Sequence, residues 1–186
     1  MTGHPTEQTW VALLRGVNVG GVTIKSADLA QVFAELGFAD VKTVLASGNV
    51  RFRGAGARAT LKARIERALR DRFGYDAWIV LVTREELAET VASFPFDAQD
   101  AARQPYVIFC AEEGARAAVL ASAANADPPL DPAEDPVAPG PGVVYWSPAK
   151  GRSLDTPFAK AMARSRSPFR TATTTRNLRT LHKILG

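Results

Sequence analysis

The order in which strand-like and helix-like segments alternate is the strongest constraint on the fold of this chain. Short β-branched and apolar runs predict strands, and apolar residues spaced three and four apart predict helices. In the first half, the predicted elements are strands at Thr9–Arg15, Val41–Ala46, Asn49–Arg53 and Trp78–Val82 and helices at Ser26–Gly37 and Arg58–Phe73. This β-α-β-β-α-β order is that of a ferredoxin-like unit, a four-stranded antiparallel sheet with two helices on one face.

The second half of the chain predicts the same order less cleanly. After a connecting helix at Arg84–Ser93, the predicted elements are strands at Tyr106–Cys110, around Val137, at Val143–Trp146 and at Arg170–Thr174, and helices at Ala115–Ala124, Thr156–Ala163 and Asn177–Leu185. We therefore expect an α+β fold of two tandem ferredoxin-like units with antiparallel sheets, followed by a C-terminal helix. The expected boundaries are 1–83 for the first unit, 84–104 for the connection and 105–186 for the second unit.

Two local features refine this expectation. Pro128–Pro141 holds half of the prolines in the chain, and proline lacks the N–H donor that a central strand needs. We expect an extended loop there, within the second unit. Ser26 is the predicted N-cap of the first helix, and Gly37 is predicted to end that helix.

Composition excludes several classes of protein. The 186 residues are 46% hydrophobic and 23% charged, which is typical of a globular protein and not of a disordered chain. A single cysteine excludes an intrachain disulfide, and with only two histidines the chain lacks the ligands of a structural zinc site. No apolar run approaches the length of a membrane span, and the first nine residues lack the apolar core of a signal peptide. We expect a cytoplasmic protein with no membrane contact, metal or cofactor.

Charge is distributed unevenly along the chain. The net charge is +4 over residues 1–83, −8 over residues 84–140 and +8 over residues 141–186. A basic segment can face an anionic partner such as a nucleotide or nucleic acid, or it can pair with the acidic middle within the fold. Both interpretations remain open from the sequence.

The glycine-rich segment Leu14–Gly21 (LRGVNVGG) is the strongest candidate for ligand binding. It joins a strand end to a helix start, where glycines let backbone N–H groups turn toward an anion and the helix dipole favours negative charge. The segment is not a P-loop, because Val22 stands where that motif needs lysine. An alternative is a loop whose glycines only supply positive φ angles. The predicted ligand-binding residues here are Arg15, Gly16, Asn18, Gly20 and Gly21.

Other segments complete the predicted binding set. They are a turn between two strands, the strand after it, a basic turn, and a Thr-Arg-Asn segment before the last helix, whose polar groups could hold an oxyanion. For this last segment the alternative is a simple helix N-cap by Thr175 or Asn177. The predicted ligand-binding residues of these segments are Ser47, Asn49, Arg51, Arg152, Arg176 and Asn177.

Three of these segments carry a family resemblance. LRGVNVGG at Leu14–Gly21, SGNV at Ser47–Val50 and TTRN at Thr174–Asn177 resemble, in this order, the bacterial family called domain of unknown function sixteen ninety-seven. The resemblance implies an α+β fold of two ferredoxin-like halves and implies no activity. This chain departs from the family pattern, which usually has a basic residue at Val22, a lysine at Leu154 and a tryptophan at Leu178. Two of these departures remove cations, which weakens the case for a shared anion site.

The residues favour a binding module for a phosphate-bearing ligand, either a nucleotide or a nucleic acid, in a basic groove between the two units. Base stacking on an open sheet is disfavoured, because the third strand offers Arg51 and Arg53 where such sheets present aromatics. One alternative is a structural or regulatory module that forms a homodimer through its sheets. Another is an enzyme that stabilises an anionic substrate electrostatically, since Cys110 and His182 do not suggest a nucleophile with its base. Whether the protein is an enzyme stays undecided.

Overall fold

Antiparallel pairing of β-strands organises the protein into two units. The computed structural model describes residues 7–17, 23–164 and 172–186. One unit holds the described residues up to Ala88 together with Lys183–Gly186, and the other holds Glu89–His182. Each unit contains a four-stranded sheet. The expected α+β fold with two β-α-β-β-α-β units and a C-terminal helix is confirmed.

The first unit follows the predicted order of elements. Its sheet has the strand order β2-β3-β1-β4, and every neighbouring pair is antiparallel. The observed bounds differ from the predicted ones by three residues at most. The elements are β1 (Gln8–Leu14), α1 (Ser26–Glu35), β2 (Ala39–Thr43), β3 (Asn49–Gly54), α2 (Arg58–Phe73) and β4 (Ile79–Thr83).

Strand β1 lies inside this sheet and is buried on both faces. Trp10, Ala12 and Leu14 face α1 and α2 and form the core with apolar residues of those helices. Val11 and Leu13 alternate with them and point to the second face, where both are 0% exposed. The run of apolar residues in β1 therefore matches a strand that is buried on both faces.

Helix α3 (Arg84–Ala92) follows β4 directly and begins with a capping box. The Glu86 N–H donates to Thr83 Oγ1, and Glu86 Oε2 accepts from the Thr83 N–H. Burial raises the pKa of Glu86, but hydrogen bonds from Arg58 and from Thr83 outweigh it and hold this pKa below its usual range. Residues three apart thus fix where the helix starts.

The second unit repeats the pattern with the strand order β6-β7-β5-β8. Tyr106–Cys110 and Val143–Trp146 are strands with the predicted bounds, whereas the predicted strand Arg170–Thr174 is observed at Thr173–Asn177. Arg170 and Thr171 lie outside the described residues. The elements are β5 (Tyr106–Cys110), α4 (Glu113–Ala124), β6 (Val137–Gly140), β7 (Val143–Trp146), α5 (Pro157–Arg164) and β8 (Thr173–Asn177). Helix α6 (Leu178–Leu185) follows β8, and its residues from Lys183 onward belong to the first unit.

Two local expectations need correction. The proline-rich segment is not a loop throughout, because the strand predicted around Val137 is observed at Val137–Gly140 and pairs with β7 as strand β6. This strand lies at the edge of its sheet, where a proline is tolerated. Ser26 is not the N-cap of α1; Lys25 holds that position without a side-chain cap, and Ser26 is the first helical residue. Gly37 ends this helix with φ of 79°, as predicted.

Asp135 holds the proline-rich segment against the core of the second unit. It is 1% exposed. Its Oδ1 accepts from Trp146 Nε1 at 2.6 Å, and its Oδ2 accepts from the backbone N–H of Phe158 at 2.9 Å. The second bond satisfies an N–H group in the first turn of α5, where the helix dipole also favours a carboxylate. One side chain therefore joins the proline-rich segment, β7 and α5.

We predict that Asp135→Ala lowers the free energy of unfolding by about 2–4 kcal/mol, because it leaves two buried N–H donors without an acceptor. Chemical denaturation followed by tryptophan fluorescence measures this change. Glu134→Ala is the matched control, since it removes a neighbouring carboxylate that is exposed. An Asp135→Ala variant as stable as the control would contradict the prediction.

Candidate functional site

The first and second sequence motifs meet at one end of the first sheet. The Leu14 N–H donates to the Gly48 carbonyl at 2.8 Å, and the Arg15 N–H donates to the Trp78 carbonyl at 3.0 Å. Gly48 has φ of 71°, and a Cβ placed on it would lie 3.0 Å from Leu14 Cβ and 3.2 Å from Val17 Cβ. The end of β1 and the turn after β2 are therefore in direct contact, and only glycine fits at that contact.

The turn between β2 and β3 is held by Asn49. Its side chain is 0% exposed, and Nδ2 donates to the Val44 carbonyl at 2.7 Å and to Ser47 Oγ at 2.9 Å. The backbone N–H of Val44 donates to the Asn49 carbonyl at 2.9 Å. Asn49, a predicted ligand-binding residue, thus has its amide nitrogen engaged within the turn. Ser47 remains exposed beside it.

The exposed polar groups near this end come from the loop between β1 and α1 and from the turn. Arg15 and Gly16 are exposed at the start of the loop, with φ of 75° at Gly16, and Lys25 is exposed at its end. Three other predicted binding residues, Asn18, Gly20 and Gly21, lie outside the described residues. The described part of the loop thus has one exposed cation at each end.

Arg51 lies on the second face of the sheet and binds the end of the last helix. Its Nη1 donates to the Ile184 carbonyl at 3.0 Å, and Arg84 Nη2 donates to the Leu185 carbonyl at 3.1 Å. The last carbonyl groups of a helix lack partners within it, and cations near them are favourable. Arg51 therefore has a structural contact that its sequence context did not reveal, and Arg84 was missed as its companion.

The remaining predicted binding residues lie in the second unit. Arg152 is exposed in a turn after β7, and Asn177 Oδ1 accepts from the Arg179 N–H at 2.9 Å. The N-cap interpretation of Asn177 is thereby confirmed. Arg176 is on β8, 7% exposed, and Nη1 donates to Thr174 Oγ1 at 2.8 Å and to the Thr175 carbonyl at 2.9 Å. Burial lowers its pKa to about 10. That these residues share one groove with Arg15 stays a prediction.

Searches for a metal cluster and for a membrane span both end without a candidate in the described ranges. Among residues 7–17, 23–164 and 172–186, no three histidine, cysteine or acidic side chains come together as a metal-ligand group. In the same ranges, no helix has both the length and the apolar character required to cross a bilayer.

We predict that Gly48→Ala lowers the free energy of unfolding by about 2 kcal/mol, because the new methyl group adds a close contact to an unfavourable positive φ. The matched control is Gly74→Ala, since Gly74 has φ of 65° and open space around the position of a Cβ. For Gly74→Ala we expect a loss of only about 1 kcal/mol, which comes from the positive φ alone. Denaturant unfolding of the two variants measures the difference, and equal losses would contradict the close contact.

We predict that Arg51→Ala costs about 1–2 kcal/mol and speeds amide hydrogen exchange in the last turn of α6, because a charged donor to a helix carbonyl is removed. Arg53→Ala is the control on the same strand and face; its guanidinium only pairs with Glu7 and Asp40 at 3.3 and 3.4 Å, about half exposed. Hydrogen exchange measured by mass spectrometry separates the two. Unchanged hydrogen exchange in Arg51→Ala would contradict a stabilising contact between Arg51 and the end of α6.

Comparisons with known proteins agree with the fold and leave the activity open. The chain has TM-score 0.80 and 23% sequence identity to the solved structure of the conserved bacterial protein SP0830 from Streptococcus pneumoniae, covering 97% of this chain and 98% of that one. Among curated proteins, no match is found. At this identity the likeness shows the fold alone.

A family model supplies the remaining finding. Residues 8–145 match the family described as "Protein of unknown function (DUF1697)". This range includes the first two sequence motifs, and Thr174–Asn177 lies beyond it. Since the match spans well over half of the 186 residues, the chain belongs to the DUF1697 family.

Proposed function

We propose that the protein binds a phosphate-bearing ligand, a nucleotide or a nucleic acid, at the end of the first sheet where the loop after β1 meets the turn after β2. The observation that carries this proposal is the hydrogen bond from the Leu14 N–H to the Gly48 carbonyl at 2.8 Å. It joins two segments whose exposed residues suit an anion. Arg15 and Gly16 belong to one segment, and Ser47 belongs to the other.

The chemistry of these residues supports a phosphate group in particular. Arginine presents several N–H donors in a planar arrangement that matches phosphate oxygens, and a serine hydroxyl can add a further donor. The positive φ of Gly16 suits a loop whose backbone N–H groups turn toward an anion. Helix α1 begins at Ser26, directly after the exposed Lys25, and Lys25 provides no side-chain cap for it. The N-terminal end of a helix adds a favourable dipole for an anion.

Dimerisation through the sheets has less support than ligand binding. The apolar second face of β1 suggested a surface that another copy could cover. Val11 and Leu13 on that face are already fully buried within a single chain. Their burial therefore needs no second copy.

The proposal is tested by fluorescence anisotropy with labelled single-stranded RNA, single-stranded DNA and duplex DNA, and with a fluorescent nucleoside triphosphate, at low and moderate salt. We expect binding that weakens as salt increases. Arg15→Ala should raise the dissociation constant by about three- to tenfold, because one charge-assisted contact is lost. The control is Arg72→Ala, which removes an exposed arginine of α2, and it should bind like the unmodified protein.

The probes also distinguish the two sources of phosphate. Binding of the nucleoside triphosphate alone would identify a nucleotide site, and binding of the oligomers alone would identify a nucleic-acid surface. Equal losses in Arg15→Ala and Arg72→Ala would indicate nonspecific attraction by net charge and contradict the site. Absence of binding to every probe at low salt would overturn the proposal.

A further inference from the structure

A cavity in the second unit lies outside every motif considered so far. Its volume is about 430 Å³, which lies in the range of small-molecule sites. It opens among the segment after α3, the proline-rich segment before β6 and the residue that follows β7. Its walls are largely apolar, and the apolar side chains that line it are Phe96, Leu130, Pro132, Pro136 and Val137.

One buried hydroxyl group in the lining has no hydrogen-bond partner among the described residues. Ser147 lines the cavity and is 1% exposed. Its backbone is paired, since its N–H donates to the Pro136 carbonyl at 3.1 Å and its carbonyl accepts from Arg103 Nη1 at 3.3 Å. The Oγ atom has no hydrogen-bond partner among the residues that the structure describes. A buried hydroxyl left unpaired is costly. Because this oxygen is closed to solvent, a polar group in the cavity can bond to it only when the Ser147 side chain turns toward the cavity.

The charges around the cavity are predominantly negative. Asp97, Asp100 and Asp135 line it, and Arg103 is its one cation among the lining residues. The Arg103 guanidinium is engaged by backbone carbonyls, with Nη1 donating to Glu134 at 2.9 Å and Nη2 donating to Ala133. It therefore holds the proline-rich segment in place. It also forms a long ion pair with Asp100, with Nε 3.7 Å from Oδ2, and so offsets part of the charge of that carboxylate.

We propose that this cavity binds a small organic cation, a protonated amine carried on an aromatic or branched aliphatic body. The apolar walls contact the body, and Asp97 and Asp100 attract the ammonium group. The Ser147 hydroxyl supplies a hydrogen bond to a polar atom of the ligand once its side chain turns toward the cavity. This chemistry is opposite in sign to that of the anion site proposed on the first unit. The result of testing one proposal therefore does not decide the other.

The ammonium group has a suitable pair of acceptors. Asp97 Oδ1 accepts from the Gln99 N–H and Asp100 Oδ1 accepts from the Ala102 N–H, both at 2.8 Å. Each carboxylate thus uses one oxygen to fix its own turn. An asparagine keeps an oxygen for that bond and loses the negative charge. Asp97→Asn combined with Asp100→Asn therefore tests charge without removing the turn.

The experiment uses the full chain, with 2-phenylethylamine as the probe and with 2-phenylethanol and 3-phenylpropionate as its neutral and anionic counterparts. Binding is followed by ¹H–¹⁵N NMR through the indole N–H of Trp146, which bonds to Asp135 in the cavity lining. We expect saturable shifts of this resonance with the amine, weaker shifts with the alcohol and none with the carboxylate.

Variants that neutralise carboxylates show which residues attract the amine. The double variant Asp97→Asn, Asp100→Asn should raise the dissociation constant of the amine by about fivefold or more, since two partly exposed carboxylates are neutralised. Asp131→Asn is the matched control, because Asp131 is exposed, fixes a similar turn through the Ala133 N–H at 2.8 Å and does not line the cavity. Equal weakening in the control would overturn the proposal, as would preference for the carboxylate.

Ser147→Ala gives an independent readout. Removing an unpaired buried hydroxyl should leave the melting temperature of the ligand-free protein unchanged or raise it, and it should weaken amine binding by about threefold. A lower melting temperature would show that the hydroxyl has a partner within the protein and would overturn the proposal. An unchanged Trp146 resonance at saturating amine would also overturn it.

Discussion

The close contact at Gly48 is the constraint on which the candidate site at the end of the first sheet depends. Its Cα lies so near β1 that a Cβ would approach Leu14 Cβ to 3.0 Å, while its carbonyl accepts from the Leu14 N–H. Two segments separated by more than thirty residues in the sequence thereby share one backbone hydrogen bond. That bond sets the geometry of any ligand contact that Arg15 or Ser47 makes.

Most of the fold could be predicted because local patterns agree with the tertiary structure. The spacing of Leu61, Ile65 and Leu69 on α2 matches their burial, and the run at Val143–Trp146 is a fully buried strand. The error at β8 has a physical reason. The strand Thr173–Asn177 is polar and forms the edge of its sheet, so neither apolar alternation nor a glycine marks its bounds. The edge strand β6 contains Pro139, so the sequence indicated a strand around Val137 but not its bounds.

The candidate site was harder to predict than the fold, because the roles of its polar residues depend on distant partners. Arg51 contacts the Ile184 carbonyl, 133 residues away along the chain, and no local pattern indicates that. Asn49 was predicted as a ligand-binding residue, and its amide nitrogen donates within the turn. Gly48 differs from these, since a glycine between two polar turn residues is itself a signal of positive φ. The role of a guanidinium or an amide in a motif therefore cannot be assigned until its neighbours in the fold are known.

Cys110 has a consequence for measuring the dynamics of the second unit. It is the only cysteine in the chain and is 9% exposed, with burial raising the pKa of its thiol to about 11. At neutral pH the thiol is largely protonated and buried, so alkylation requires the structure around Cys110 to open. The rate of labelling therefore reports how often this part of the second unit opens under native conditions, without an introduced probe. Because the first unit has no cysteine, the labelling rate reports on the second unit alone.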